Sequence, residues 1–324
     1  LTILRTASAG ELWSRTLNLG GNEYAQSVAT DNQRNIIVTG YNGTPGAGGN
    51  ADFLTVKYNE NGTVLWNKTY DQGTGKNEEA YGVATDSSRN IITAGQRTIT
   101  VGDPAVTSYN TFAIKYDENG TELWTKTLLY GTIGDYINSV ATDRNNNIII
   151  AGYNVRGIDI NTNDDWLIIK LNSSNGAILW NQTYTSTSGA KTDTAADVAI
   201  DSINNILVTG TNSSGTMTRK YNENGTVIWT IPWGGDEIAV TSQEDILIWY
   251  DTPASLYKFN SAGTHILNKT ITGGTGLTRD RYNRIMASAT NNGDYLLSVY
   301  TNKNLSLLVN YTSDSEFNDA STNI

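Results

Sequence analysis

Apolar residues along this chain come in short runs of about four to six, each bounded by Asn, Gly or Asp. Runs of this length with turn residues on both sides predict short β-strands. No long stretch places apolar residues at every third or fourth position, which is the pattern of an amphipathic helix. Thr, Ile, Val, Tyr and Trp dominate the runs and favour strands, so the pattern predicts an all-β protein.

The runs are ordered in an internal repeat. One unit starts at residues 27–31 (SVATD), continues through 35–40 (NIIVTG) and 53–58 (FLTVKY), and closes with a turn and a tryptophan at 61–66 (NGTVLW). The same order returns from residues 82, 139 and 197, and two degenerate copies start near residues 238 and 276. Each unit therefore holds four short strands joined by Asn-, Asp- and Gly-containing turns.

Four strands recurring every roughly 40 to 58 residues are typical of a β-propeller, because a single blade cannot bury both faces alone. We predict a half blade at 1–20, complete blades at about 21–70, 77–128, 134–185, 193–231, 235–271 and 275–312, and a tail at 313–324. The expected ring has seven blades, one of them incomplete within the chain. Six blades plus an extra strand pair are the alternative.

The repeat resembles the bacterial and archaeal β-propeller repeat called SBBP, on the motifs VATD at 28–31, NIIVTGY at 35–41 and FLTVKYNENGTVLW at 53–66. Less closely, it is similar to the tryptophan-docking repeat of pyrroloquinoline quinone enzymes, whose fourth strand has a comparable Gly-x-x-Leu-Trp ending. The first resemblance implies a propeller and a secreted or surface location, but no reaction. The second implies that tryptophans dock between blades, a role we assign to Trp13, Trp66, Trp124, Trp180 and Trp229.

Composition excludes several kinds of chemistry. The chain of 324 residues has no cysteine, one histidine (His265) and a formal net charge of −10. Thiol nucleophiles, disulfides, thiolate metal sites and the vicinal cysteine pair of quinone-dependent alcohol dehydrogenases are therefore absent. His265 is expected at the outer edge of a blade, away from any pocket. We predict no catalytic residue, no cofactor, no metal ligand and no enzymatic activity.

The acidic net charge, without a basic block, argues against nucleic acid or an anionic membrane as a partner. No apolar run approaches the roughly 20 residues of a membrane-spanning helix.

Several acidic residues need an interpretation. The aspartates that end the first strand of each unit are expected to cap the following turn; the alternative is a carboxylate ring that binds a cation. They are Asp31, Asp86, Asp143 and Asp201. The run 161–165 (NTNDD) could bind Ca²⁺ but lacks the Gly and the distal Glu of an EF-hand. The pairs Glu78-Glu79 and Asp236-Glu237 are interpreted as solvated charges.

Eleven Asn-x-Ser/Thr tripeptides are candidate glycosylation sites if the protein is secreted. They are Asn42, Asn61, Asn67, Asn119, Asn172, Asn181, Asn212, Asn224, Asn268, Asn304 and Asn310. A cysteine-free chain rich in Asn, Thr and Ile that carries these tripeptides is typical of an archaeal surface protein. We therefore predict an extracellular or cell-surface glycoprotein.

Three functions remain open. The first is a structural surface or filament subunit that self-associates, with the tail 313–324 adding as a strand to the half blade of a neighbouring copy. The second is an adhesin or a module that binds glycans or surface proteins through its long loops. A quinone-dependent or hydrolytic enzyme has the least support, and the fold alone does not choose between functions.

Overall fold

The computed structural model describes residues 2–7, 10–44, 50–73, 76–101, 106–128, 134–155, 163–186, 191–251, 254–270, 274–279, 285–291, 294–300, 304–305 and 307–312. These residues form 27 β-strands and no helix. Within them no helix has the length and apolar character that a membrane crossing needs. The chain divides into two compact units, Leu1–Ala195 and Ala196–Ile324.

A two-stranded hairpin opens the first unit and a four-stranded antiparallel sheet, the first sheet, follows it. In both, strands that are consecutive in the chain pair with each other. The hairpin consists of β1 (Thr2–Ala7) and β2 (Gly10–Thr16), and the first sheet of β3 (Glu23–Thr30), β4 (Ile36–Thr44), β5 (Asn50–Tyr58) and β6 (Val64–Tyr70).

Two further four-stranded arrays complete the first unit. The second sheet comprises β7 (Glu78–Thr85), β8 (Ile91–Val101), β9 (Val106–Tyr116) and β10 (Glu122–Leu128). The third comprises β11 (Gly134–Thr142), β12 (Ile148–Val155), β13 (Asn163–Leu171) and β14 (Ile178–Tyr184). A parallel contact of Gly134 with Tyr109 joins the two, and β15 (Lys191–Thr192) pairs in parallel with β13.

The remaining strands form three separate four-stranded sheets. The fourth sheet is β16 (Thr194–Ile200), β17 (Ile206–Asn212), β18 (Gly215–Tyr221) and β19 (Val227–Ile231). The fifth is β20 (Glu237–Val240), β21 (Ile246–Asp251), β22 (Ala254–Phe259) and β23 (His265–Thr270). The sixth is β24 (Gly274–Arg279), β25 (Ile285–Asn291), β26 (Asp294–Tyr300) and β27 (Leu307–Thr312).

Asp and Asn side chains stabilise the turns between strands by accepting hydrogen bonds from backbone N–H groups of the same turn. In the turn between β3 and β4, Asp31 Oδ1 accepts the backbone N–H groups of Gln33 and Asn35 at 2.9 Å each. In the turn between β5 and β6, Asn59 Oδ1 accepts those of Asn61 and Thr63. Both are side-chain mimics of a backbone turn, which explains why Asp and Asn recur at these two places of the repeat.

The apolar core lies between consecutive sheets. In the first unit, Ile37 and Phe53 of the first sheet pack with Val83, Ile91 and Phe112 of the second. The inner strands are covered on both faces, and β12 is buried at seven of its eight positions. The fourth strand of a sheet is its outer edge, and β14 has no fully buried position. The second strand of each repeat is a continuous apolar run because both of its faces are buried.

Candidate functional site

A buried ion pair recurs in five sheets, each joining a lysine of the third strand to an aspartate at the turn between the first two strands. The pairs are Lys57–Asp31 (3.1 Å), Lys115–Asp86 (2.9 Å), Lys170–Asp143 (2.8 Å), Lys220–Asp201 (2.9 Å) and Lys258–Asp245 (2.9 Å). The predicted turn-capping role of the four aspartates is confirmed. The lysine partners were not predicted, and they neutralise carboxylates that were considered for a cation-binding ring.

These contacts change the acidity of the carboxylates. Burial alone would raise the pKa of Asp31, but hydrogen bonds from Asn35 and Lys57 outweigh burial and hold the pKa below its ordinary value. Asp201 has a lowered pKa for the same reason, with burial opposed by Lys220 and Asn205.

One backbone carbonyl of the following sheet receives both the lysine and the repeated tryptophan. Lys57 Nζ and Trp66 Nε1 donate to Glu118 O at 3.2 and 3.0 Å. The same arrangement joins Lys115 and Trp124 to Ser173 O, and Lys220 and Trp229 to Ser261 O. Trp66, Trp124 and Trp229 also pack against apolar clusters between the sheets, whereas the side chain of Trp13 lies outside the described residues.

The first strand of the first sheet has an open face. Val28 on β3 is 64% exposed, although its repeat equivalents Val83 and Val140 are only 6% and 8% exposed. Val140 is covered by the preceding sheet, since a Cβ built on Gly82 of β7 would lie 2.8 Å from its side chain. The hairpin that precedes β3 contains no strand at the corresponding place in the described residues. Among the described residues, no strand lies over Val28 as β7 lies over Val140.

The hairpin itself corresponds to the third and fourth strands of a sheet. Arg5 pairs with Trp13 across it, as Lys57 pairs with Trp66 and Lys115 with Trp124. Among the described residues β1 pairs only with β2, whereas β5 pairs on both edges. We name the face of β3 around Val28 the open acceptor.

A second feature is an acidic cluster, which comprises Asp52, Asp71 and Glu78. The interpretation of Glu78 as a solvated surface charge is wrong, because its side chain is 0% exposed. It is the first residue of β7, where the chain leaves one sheet and enters the space between two sheets. Its neighbour Glu79 is half-buried and accepts a hydrogen bond from the Tyr81 hydroxyl.

A tyrosine cluster lies on β9, β11 and β12 of the first unit. Tyr136 and Tyr153 stack with ring centroids 4.7 Å apart and an interplanar angle of 7°, and Tyr109 lies 5.1 Å from Tyr136. Tyr24 and Tyr41 form a second stack at 4.8 Å. The rings of the first group are half-buried and so keep part of their faces accessible.

The candidate glycosylation sites differ in how far their side chains are exposed. Seven glycosylation candidates are exposed: Asn61, Asn67, Asn119, Asn181, Asn224, Asn268 and Asn304. Asn42, Asn172 and Asn212 are half-buried, and the side chain of Asn310 lies outside the described residues. No observation tests whether any of them carries a glycan, so these sites stay predictions.

The structure describes the surroundings of His265 and part of the run 161–165. His265 is exposed at the start of β23 and stacks on Trp233 with centroids 5.6 Å apart. Residues 161–162 lie outside the described residues, and Asp164 and Asp165 are buried in β13.

No family model and no curated protein sequence matches the chain. Solved structures do. A protein of unknown function from Desulfotomaculum acetoxidans is similar, with a TM-score of 0.59 and 14% identity over 94% of this chain and 90% of that one. A catalytically inactive virginiamycin B lyase from Staphylococcus aureus has a TM-score of 0.57 and 9% identity over 95% and 87%. PorZ, a surface component of the type-IX secretion system of Porphyromonas gingivalis, has a TM-score of 0.57 and 11% identity over 94% and 44%.

The four-stranded sheets and these similarities identify the chain as an all-β protein of the β-propeller class, as predicted. The similarity establishes the fold alone, and the SBBP assignment and the number of blades stay predictions. The prediction that the chain is not an enzyme is wrong, because it excluded catalysis for this fold. The same fold serves a lyase, so this architecture does not rule out catalysis.

Proposed function

We propose that the chain is a cell-surface β-propeller subunit that self-assembles, each copy receiving a strand from a neighbouring copy at the open acceptor. The observation that carries the proposal is the exposure of Val28, which is 64% while its equivalents Val83 and Val140 are at 6% and 8%. An exposed apolar residue whose equivalents are buried is a site where a strand from another chain can pack.

The tail carries the sequence of the missing strand. Residues 319–324 (DASTNI) repeat the Asp-x-x-x-Asn-Ile spacing of 31–36 (DNQRNI) and 86–91 (DSSRNI). In those two copies the motif forms the turn that follows the first strand of a sheet. Twelve residues, 313–324, span up to about 40 Å when extended, which is enough for one strand and its turn. The tail therefore supplies a first strand and a turn.

The ion-pair pattern favours the same register. Four capping aspartates in the described residues pair with a third-strand lysine, and Arg5 occupies that lysine position on β1. A donated strand would bring Asp319 to Arg5 and would cover Val28. A tail donated from one copy to the next makes a head-to-tail contact, which continues as a fibre when the rotation does not close.

A surface location is supported by two observations. Seven of the candidate glycosylation sites are exposed, and the fold is shared with PorZ, which is a bacterial surface component.

Two variants with complementary defects test the proposal. Deletion of 313–324 removes the donor strand, and Val28→Lys keeps the donor but places a charge in the open acceptor. We expect wild-type protein to form concentration-dependent oligomers in sedimentation velocity and each variant alone to be monomeric. An equimolar mixture should form heterodimers, because the tail of one variant enters the intact acceptor of the other. Val83→Lys is the matched control and should unfold, since Val83 is buried.

Monomeric wild-type protein at all concentrations would overturn self-assembly. A mixture that forms no heterodimer, or assembly that survives the deletion, would overturn donation of the tail. Monomeric wild-type protein that loses stability on deletion of 313–324 would mean that the tail adds to its own chain.

A second candidate function is recognition of a saccharide, favoured by the half-buried tyrosine cluster of Tyr109, Tyr136 and Tyr153. Aromatic faces stack on sugar rings, and the hydroxyls can bond to them. Glycan-array binding that is lost in Tyr153→Ala but kept in Tyr24→Ala would support it. No binding by wild-type protein would eliminate it.

A further inference from the structure

The acidic cluster lies where the first sheet passes into the second. Asp52 lies near the start of β5, Asp71 directly follows β6, and Glu78 begins β7. Each of the three carboxylates has an oxygen within 4.8 Å of the others. Three carboxylates thus converge from two strands and from the segment that follows β6.

Glu78 distinguishes this cluster from an ordinary acidic patch. Its side chain is 0% exposed, and neither carboxylate oxygen has a hydrogen-bond partner among the described residues. Asp193 holds the equivalent position before β16 and is also 0% exposed, but its Oδ2 accepts the backbone N–H of Ser186. A buried carboxylate without donors is costly, and either a proton or a bound cation removes that cost.

The backbone at Glu78 is held in place from two sides. Asn77 Oδ1 accepts the N–H of Ala51 on β5 at 3.2 Å, and the N–H of Asn77 donates to Thr98 Oγ1 at 2.8 Å. Thr98 N–H donates in turn to Asn77 O at 2.9 Å. The chain therefore cannot easily turn Glu78 out to solvent.

The protein's own cations do not compensate the cluster. Burial, followed by the nearby charges of Asp71 and Asp52, raises the pKa of Glu78 to about 7, although Lys76 and Arg97 act in the opposite direction. Arg97 Nη1 donates to the Gln72 side chain instead. Burial and Asp71 also raise the pKa of Asp52.

We propose that Asp52, Asp71 and Glu78 form a binding site for a divalent cation and that Ca²⁺ is the ion that fits it. All three ligands are hard carboxylate oxygens, with no histidine or cysteine. Ca²⁺ binds oxygens at about 2.3 to 2.6 Å in flexible geometry, so oxygens up to about 5 Å apart can share one ion. Asp52 Oδ1 also accepts from Asn50 Nδ2, and Asp71 Oδ1 from Gly73 N–H, which orients both carboxylates.

Isothermal titration of CaCl₂ into the full chain tests the site, and Asp52, Asp71 and Glu78 lie outside the open acceptor. We expect one ion per chain and a rise in melting temperature with Ca²⁺, since an ion that binds only the native state stabilises it. Glu78→Gln should abolish binding, and Asp71→Asn, at an exposed position, should weaken it at least about tenfold. Glu23→Gln, at the equivalent position of the first sheet, is the matched control and should bind like its parent.

Loss of binding in Glu78→Gln should not result from loss of folding. Gln at this position removes a buried charge, so the ion-free variant should melt at or above the temperature of its parent. Absence of Ca²⁺ binding by the parent would overturn the site. So would unchanged affinity in either Glu78→Gln or Asp71→Asn. Equal affinity for Mg²⁺ would retain the site and remove the preference for Ca²⁺.

Discussion

At the scale of single residues, the repeat is held by glycines that lie against the tryptophan of the preceding sheet. Gly120 has a φ of 82°, in the left-handed region that favours glycine. A Cβ added there would lie 2.9 Å from the Trp66 ring. Gly176 meets Trp124 in the same way. Asn-Gly in the repeat thus serves both the turn and the contact between sheets.

We expect Gly120→Ala to lower the free energy of unfolding by about 2 to 4 kcal/mol, combining a left-handed penalty with overpacking. Gly20→Ala is the control, because Gly20 has a φ of 95° but no atom within 4 Å of the added Cβ. It should cost about 1 to 2 kcal/mol. Urea denaturation measures both, and equal losses would show that the Trp66 contact contributes nothing.

At the scale of elements, an ion pair joins strands within one sheet, and in three sheets the same lysine also donates to a backbone carbonyl of the following sheet. Lys115 illustrates this, because it binds Asp86 within the second sheet and Ser173 O of the third. Both charges are buried, with side-chain exposures of 3% and 0%. The stability of such a pair depends on keeping both partners, since a single remaining charge is not solvated.

Lys115→Met should destabilise the protein by about 3 to 5 kcal/mol, because it leaves Asp86 charged and buried. The double variant Asp86→Asn/Lys115→Met should recover part of this loss, since no buried charge remains. Urea denaturation of the single and double variants provides the comparison. Additive losses in the double variant would contradict a coupled pair.

The lowered pKa values of Asp31 and Asp201 predict acid sensitivity. Each aspartate is ionised in the native state at a pH where the unfolded chain already binds a proton. Its stabilising contribution is therefore complete above the ordinary value of 3.8 and is lost as the pH falls through the lower native value. Urea midpoints from about pH 5 to about pH 2 should fall steeply for wild-type protein and less steeply for Asp31→Asn.

At the scale of the whole molecule, the net charge of −10 opposes association of copies. Screening weakens repulsion between exposed charges, whereas the apolar contact that we propose at Val28 is not weakened by salt. Association through the open acceptor should therefore strengthen with ionic strength.

Sedimentation velocity at about 20 mM and about 500 mM NaCl tests this. Wild-type protein should shift to larger oligomers at the higher salt concentration, while the variant without 313–324 should remain monomeric at both. Dissociation at high salt would instead point to an interface made of exposed ion pairs.

The strands and turns were predictable because their signals are local. The motifs SVATD, NIIVTG and NGTVLW each contain the apolar run and the turn residue that form the element, and Asp31 caps its turn as expected. Glu78 was missed for the opposite reason. Its neighbours in sequence are polar, and only the approach of β5 and β6 buries it. The partner of Asp31, Lys57, lies 26 positions away and was likewise not predicted.

The sequence by itself determined the strand repeat, the turn chemistry and the β-propeller class, because hydrophobic periodicity and turn residues act within a few positions of each other. Only the tertiary structure decided which charges lose water and which apolar residues stay exposed. It buries Lys57 and Glu78 but leaves Val28 open, although Val28 and Val83 have nearly the same local sequence. Burial depends on which sheet covers a face, and that is a property of neighbours distant in the chain.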